Sequence, residues 1–168
     1  MRHRTVPIRI AVGRDSPVNA TPLLPEPFQA IVSEFQAADK DEKLQLLMSF
    51  ATHLHALPER YQGQHNPASQ VRECMTPVYV YAELQASHLA FFFDVPPESS
   101  TISGYAAILA VLLENLTPTQ VLQIPPDCYE LLGLREILSP QRVRGIIGIF
   151  SRVRKLAQLA AQMQDQPN

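Results

Sequence analysis

The chain has 168 residues, of which 46% are apolar and 18% charged, and this length and composition suit one folded domain with a substantial core. Its net charge of −2 argues against wholesale binding to a phosphate backbone, and no apolar run approaches the roughly 20 residues of a membrane helix. The two cysteines, Cys74 and Cys128, form no Cys-x-x-Cys pair. This excludes a disulfide-stapled scaffold and an all-cysteine metal site, and it fits a cytosol-like reducing compartment.

Residues 1–25 are predicted to be a disordered leader. They contain four prolines, four arginines and a single acid, with no sustained periodicity. A basic, acid-poor leader is also compatible with an organelle transit peptide, so a plastid or another organelle stays open beside a cytoplasmic location. We expect one domain over residues 26–162, followed by a disordered tail over residues 163–168.

Two helices are predicted at the start of the domain. Apolar residues at helical spacing run from Phe28 to Phe35 and define one buried face. Asp39, with Glu42 three residues later, has the pattern of a capping box and begins a second helix that ends before Pro58. The short connection between the two helices favours a helical hairpin.

Residues 58–76 form a polar segment of nearly 20 residues with Cys74 at its far end. Loops of this length without structure of their own are usually functional or disordered. Two alternating segments follow, over residues 76–84 and 88–94, with turn residues between them, and they predict an antiparallel hairpin.

The rest of the chain reads as helical. Ser99, Ser100 or Thr101 begins a helix that is apolar nearly all round and is therefore expected at the centre of the domain. Capping patterns follow at Thr117-Pro118, Asp127 and Ser139-Pro140, and Gly133 ends the short helix after Asp127. This order predicts an α+β fold, with a small hairpin-based antiparallel sheet packed against several helices.

Most catalytic motifs are missing from the sequence. His53 and His55 lie two residues apart and so face different sides of a helix, and His65 and His88 are isolated. The chain contains neither a glycine-rich phosphate loop nor a Gly-x-Ser-x-Gly elbow. We therefore expect neither a metal site nor a cofactor.

The two cysteines differ in their expected settings. Cys128 begins a short helix, where cysteine is usually a small apolar packing residue. Cys74 lies in the long polar loop directly after Arg72, which favours its thiolate, and Glu73, which opposes it. Cys74 is the better candidate for a reactive thiol.

Several segments resemble the SufE family of cysteine-desulfurase activators and sulfur acceptors. The likeness covers roughly residues 24–160 and follows one order: helical hairpin, polar loop with the cysteine, strand hairpin and apolar helix. Three short motifs then follow, namely Leu116-Thr117-Pro118, Leu132-Gly133-Leu134 and Ser139-Pro140-Gln141-Arg142. Each motif is weak alone, and the joint order around one loop cysteine carries the resemblance.

The resemblance implies that Cys74 is a persulfide acceptor. Family members take sulfur from a pyridoxal-phosphate cysteine desulfurase, stimulate that enzyme and relay the sulfur to an iron–sulfur scaffold. The acceptor is an accessory sulfur carrier that needs no metal or cofactor. Arg142 matches the arginine of the Ser-Pro-x-Arg motif and is expected to support the cysteine loop or the partner interface.

The chain departs from the family pattern next to the cysteine. Glu73 stands where the family commonly has glycine, Pro77 removes an amide donor, and Tyr79 takes a tryptophan position. These changes bear on how the loop moves and on which partner it meets.

Two other interpretations stay open, and both depend on the uneven distribution of charge along the chain. Residues 23–134 carry a net charge of −9, whereas residues 135–155 carry +5. An inert Cys74 would leave an interaction module that docks through this basic helix, with Arg152 and Arg154 expected on its exposed side. Nucleic-acid binding by the same helix is disfavoured by the acidic body of the chain. We expect no nucleic-acid or membrane partner.

Overall fold

The computed structural model describes residues 24–166. Over these residues the α+β prediction is confirmed, because five α-helices accompany a two-stranded antiparallel sheet. The elements are α1 (Glu26–Ala37), α2 (Lys40–Phe50), β1 (Tyr79–Gln85), β2 (His88–Asp94), α3 (Ser100–Leu112), α4 (Pro118–Gln123) and α5 (Pro140–Gln164). Short 3-10 turns lie at Ala51–His53, Glu59–Tyr61, Pro67–Ser69, Cys128–Leu132 and Leu134–Glu136.

The two helices predicted at the start of the domain are present, but they pack mainly against α3 and not against each other as a hairpin. Helix α1 buries Phe28, Ile31 and Phe35 on one face. The Asp39 carboxylate accepts the Glu42 N–H at 2.9 Å, and the Asp39 N–H donates to the Glu42 carboxylate at 2.9 Å. This reciprocal capping box satisfies two amide donors and sets the sharp start of α2.

The strands form the predicted antiparallel hairpin, although the first one begins at Tyr79 and not at residue 76. Tyr79 lies opposite Asp94 and Gln85 opposite His88, which leaves a two-residue turn containing Ala86 at a φ of +54°. Val80 and Phe93 form a buried cross-strand pair. The hairpin is thereby fixed to the core on one face, as an isolated two-stranded sheet requires.

Helix α3 occupies the centre of the domain, as its apolar sequence predicts. Every residue from Ile102 to Leu109 is buried. Helices α2 and α3 cross closely at Gly104, where a Cβ atom would lie 1.9 Å from the Leu47 carbonyl oxygen. Only glycine permits this approach, and it brings the start of α3 next to α2.

The C-terminal helices begin at the predicted caps. The Thr117 hydroxyl accepts the Gln120 N–H in a second capping box, and the Ser139 hydroxyl accepts the Arg142 N–H at 3.3 Å. The predicted short helix after Asp127 differs: it is a 3-10 turn without a side-chain cap from Asp127. It does end at Gly133, whose φ of +64° suits glycine.

At both ends of the described residues, ordered structure extends past the predicted domain limits of 26 and 162. Leu24 is 7% exposed and belongs to the core, and α5 continues to Gln164. Most of the leader, residues 1–23, and the last two residues of the tail lie outside the described residues. Within residues 24–166 we find no helix with the length and hydropathy needed to cross a membrane.

Candidate functional site

Cys74 lies near the tip of a loop, residues 71–78, that we call the cysteine loop. Its two ends are joined because the Val71 N–H donates to the Val78 carbonyl at 2.8 Å, and both valines are at most 1% exposed. One residue further out, Gln70 and Tyr79 form an isolated β-bridge. The loop is therefore a small excursion with a fixed base in the core.

The tip of the cysteine loop is held more weakly than its base. The Cys74 N–H donates to the Val71 carbonyl at 3.3 Å, and Thr76 and Ser99 meet through their hydroxyls at 3.4 Å. Met75 is 83% exposed. Segments with few buried contacts open locally at a small fraction of the global unfolding free energy.

The Cys74 thiol borders a pocket of about 650 Å³. Its walls come from α2, from the cysteine loop, from the segment that begins α3 and from the start of α5. The residues that line it are Leu44, Met48, Cys74, Met75, Thr76, Glu98, Ser99, Ser100, Thr101, Ile102, Ser139, Gln141, Arg142 and Gly145. The fold thus places the predicted acceptor thiol beside a space large enough for part of a partner protein.

The surroundings of Cys74 disfavour its thiolate. Partial burial, with a smaller contribution from the Glu73 carboxylate, raises the pKa of the Cys74 thiol to about 11. Because the thiolate is the nucleophile, Cys74 in this position is a poor one at neutral pH. Arg72, which the sequence suggested as a counterweight, is exposed.

Cys128 has the buried packing role that its sequence position predicts. It is 3% exposed within the core and begins the 3-10 turn Cys128–Leu132. Burial, with a smaller contribution from Asp127, raises the pKa of its thiol to about 12. A thiol in this position reaches neither solvent nor a partner without unfolding of the core.

The long polar segment that precedes the cysteine loop is ordered by contacts with the sheet. Tyr61 stacks on Tyr81 with ring centroids 4.3 Å apart, and the Arg60 guanidinium pairs with the Glu83 carboxylate at 2.5 Å. His65 stacks on Tyr79 at 5.0 Å. Of the two expectations for residues 58–76, disorder is therefore wrong for the part that precedes the cysteine loop.

The structure brings Arg142, the predicted supporting residue, to the same pocket as Cys74. Its backbone N–H is held by the Ser139 cap, and its side chain is exposed at the pocket wall. The expected role of Arg142 in support of the loop or the partner interface stays a prediction.

The expectation that Arg152 and Arg154 lie on an exposed face of α5 is wrong. The Arg152 guanidinium donates to the Gln70 carbonyl at 2.9 Å, and Arg154 donates to the carbonyls of Leu122 and Ile124 at 3.0 and 2.8 Å. These arginines satisfy carbonyls at the base of the cysteine loop and at the end of α4. They are structural, so the basic charge of this region overstates what α5 presents to a partner.

Two glycines next to the thiol were not found by sequence reasoning. Gly145 and Gly148 lie on the face of α5 that the cysteine loop covers, and both are buried. The only indication in the sequence is their spacing of three residues inside a long helix, where glycine is unfavourable.

Three of the histidines lie around one cleft without forming a metal site. His53, His55 and His88 border a second cleft of about 370 Å³ between the hairpin and α3. Within residues 24–166, no three side chains of His, Cys, Asp or Glu converge closely enough to hold a metal ion.

Comparisons with known proteins agree with this fold. Residues 29–157 match the family model SufE, described as an Fe-S metabolism associated domain. An uncharacterized SufE-like protein of Mycobacterium tuberculosis is 32% identical over 133 residues, which cover 79% of this chain and 92% of the relative. SufE-like protein 1, chloroplastic/mitochondrial, of Arabidopsis thaliana is 29% identical over 80% of this chain and 35% of its own length.

A solved structure shows the same fold. It is the solution structure of a hypothetical protein from Thermus thermophilus, with a TM-score of 0.70 and 27% identity. The match covers 83% of this chain and 98% of that protein. Most of this arrangement of helices and sheet is therefore shared with another protein.

Proposed function

The chain belongs to the SufE family, and we propose that Cys74 accepts sulfur from the persulfide of a pyridoxal-phosphate cysteine desulfurase. The family description places the chain in iron–sulfur metabolism. The observation that carries the proposal is the position of Cys74 at the tip of a short loop with a fixed base, beside a pocket of about 650 Å³. Cys128 is enclosed by the core and leaves Cys74 as the thiol that can be presented to a partner.

The transfer is a thiol–persulfide exchange that balances without an oxidant or a reductant. The Cys74 thiolate attacks the terminal sulfur of the enzyme persulfide, and a new sulfur–sulfur bond forms on Cys74 as the old one breaks. The desulfurase cysteine leaves as a thiolate and takes up the proton that Cys74 gave. The acceptor therefore needs no metal or cofactor of its own.

Transfer requires the cysteine loop to move. In the position seen here the thiol is half-buried and protonated at neutral pH, whereas attack needs an accessible thiolate. Release of residues 72–77 from the domain, with the Val71–Val78 base intact, would bring Cys74 to the partner's persulfide. The exposed Met75 and the partly exposed Met48 supply apolar contacts around this position.

Stimulation of the desulfurase and delivery to an iron–sulfur scaffold complete the proposed role. Removal of the terminal sulfur frees the enzyme cysteine for its next turnover, so an acceptor of this kind raises the turnover rate. Arg142, at the wall of the same pocket, contacts the partner or supports the opened loop. Because free thiols persist in reducing surroundings, we place this activity in the cytoplasm or an equally reducing organelle.

Intact-mass spectrometry tests the proposal directly. The protein is incubated with a cysteine desulfurase and cysteine, and we expect a mass increase of one sulfur atom that a reductant reverses. Peptide mapping should place the added sulfur on Cys74. A protein that stays unmodified while the desulfurase turns over would contradict the proposal.

A further inference from the structure

One face of α5 lies directly beneath the cysteine loop. Gly145, Gly148 and Arg152 follow one another at spacings of three and four residues, which places them on the same side of the helix. Gly145 contacts Cys74, Gly148 contacts Glu73, and Arg152 holds the Gln70 carbonyl. The segment from Gln70 to Cys74 therefore runs antiparallel along this face.

The cysteine loop lies this close to α5 because the two helix positions beneath it are glycines without a Cβ atom. A Cβ atom on Gly145 would lie 2.8 Å from the Cys74 Sγ atom, and one on Gly148 would lie 2.7 Å from the Glu73 Cβ atom. Both separations are shorter than van der Waals contact. Glycine weakens a helix interior relative to alanine, so this pair makes room for the loop at a cost to α5 itself.

Glu73 is the residue that occupies the second of these positions. Its Oε2 atom would lie 2.7 Å from a Cβ on Gly148, so the carboxylate as well as the stem rests against the helix. A glycine at position 73 would make no such side-chain contact. The contact between loop and helix at this point therefore depends on the Glu73 side chain.

We propose that Gly145 and Gly148 form a seat for the cysteine loop, and that Glu73, resting on Gly148, locks the loop in a closed position in which Cys74 is unreactive. Gly145, Gly148 and Glu73 are positioning residues that act through Cys74. The seat and the lock set how often the loop opens before a partner arrives.

The closed position also controls the charge of the thiol. Glu73 comes from the loop itself, Glu98 from the segment before α3, and Arg142 from α5, whereas α2 lines the pocket with the apolar Leu44 and Met48. Burial is the main cause of the raised Cys74 pKa and the Glu73 carboxylate the second. Opening therefore increases both the access to the thiol and its thiolate fraction.

The seat and the lock have a role only if Cys74 accepts sulfur as proposed above, but they can be tested without a desulfurase. The rate of alkylation of Cys74 by iodoacetamide near pH 7.5 measures the accessible thiolate directly. We expect Gly148→Ala to increase this rate about 10- to 100-fold, because the Glu73 Cβ atom can give way only with the loop backbone, and a fall in pKa from about 11 to an ordinary value raises the thiolate fraction about 100-fold. Gly145→Ala should give a smaller increase, because the Cys74 Sγ atom can rotate away from the new methyl group. The pH profile of the rate should move to lower pH with it.

Ser151→Ala is the matched control. Ser151 is an exposed position of the same helix, and alanine there raises helix propensity without reaching the loop. It should leave the alkylation rate unchanged. Circular dichroism of each variant shows that the helices are retained, so a faster rate reports an open loop and not an unfolded protein.

Glu73 is tested by two substitutions that separate its charge from its contact. Glu73→Gln keeps most of the contact and should shift the pH profile slightly, whereas Glu73→Gly removes the contact and should approach the Gly148→Ala rate. Unchanged rates in both glycine variants would overturn the seat, and a Glu73→Gly rate equal to the parent rate would overturn the lock. Either result would leave sulfur uptake by Cys74 untouched, and failed uptake would leave the alkylation results standing.

Discussion

The segments around Cys74 and Cys128 bury a thiol in two different ways. Cys128 lies in the hydrophobic core and is 3% exposed, whereas Cys74 is half-buried by a short loop that rests on α5. Burial raises the pKa of both thiols, to about 12 and about 11. The similar pKa values conceal a difference in accessibility, because Cys74 borders an open pocket whereas Cys128 is enclosed by the core.

The largest expected effect comes from removal of each thiol in turn. Cys74→Ser should abolish sulfur uptake and desulfurase stimulation, because the exchange requires a sulfur nucleophile. Cys128→Ala should keep both activities. Persulfide mass spectrometry and desulfurase turnover measure the outcome, and an inactive but folded Cys128→Ala protein would reverse the assignment.

The reactivity of the two thiols toward iodoacetamide should differ almost as much. In the folded protein Cys74 should react slowly near neutral pH, about 100-fold below an ordinary cysteine, because its thiol stays protonated until the pH approaches 11. Cys128 should react only when the protein unfolds. The rate at Cys74 should therefore rise as the pH is raised, and equal labelling of both sites under native conditions would contradict the comparison.

Stability should show the opposite order. Cys128→Ser places a hydroxyl in the core and should lower the free energy of unfolding by about 1–3 kcal/mol. Cys74→Ser changes a half-buried position at the pocket and should cost less than about 1 kcal/mol. Urea denaturation with tyrosine fluorescence compares the two variants, and a larger loss at Cys74 would show that the loop belongs to the cooperative core.

Arg152 and Arg154, two partly buried arginines of α5, are expected to affect different properties of the protein. Arg152→Gln loosens the base of the cysteine loop at Gln70 and should raise the alkylation rate of Cys74 several-fold, with little effect on stability. Arg154→Gln removes donors from the carbonyls of Leu122 and Ile124 and should lower the melting temperature without changing Cys74. Measurement of both the alkylation rate and the melting temperature in each variant tests this. A faster alkylation of Cys74 in Arg154→Gln than in Arg152→Gln would contradict the prediction.

The smallest effect is expected from the leader. A chain that lacks residues 1–22 keeps Leu24, the first residue described in the core, and should retain the melting temperature and sulfur uptake of the full chain. A drop of several degrees would show that the leader packs on the domain. Differential scanning calorimetry on both chains decides this.

Local patterns in the sequence predicted most of the architecture. Capping boxes at Asp39 and Thr117, the Ser139-Pro140 start and the alternation in both strands all correspond to elements of the structure. Each depends on residues within a few positions of one another, so the sequence alone contains the information. The same holds for the choice of Cys74 as the candidate thiol, since Cys74 lies in a polar loop and Cys128 begins a short, largely apolar segment.

The direction of the α5 side chains was not predictable in the same way. The count of basic residues suggested an exposed basic face, yet Arg152 and Arg154 point to backbone carbonyls of Gln70, Leu122 and Ile124. Those carbonyls are about 30 and 80 positions away along the chain. Charge composition does not reveal which guanidinium groups the fold uses internally.

The order of the elements, their caps and the identity of the candidate thiol can be predicted from the sequence, because they follow from short-range backbone preferences and residue chemistry. The burial of that thiol against α5 depends on the tertiary structure. The contact between Cys74 and Gly145, the contact between Glu73 and Gly148, and the raised pKa of Cys74 all arise from packing between a loop and a helix some 70 residues apart. Burial and clash are properties of neighbours in space, which the order of residues along the chain does not contain.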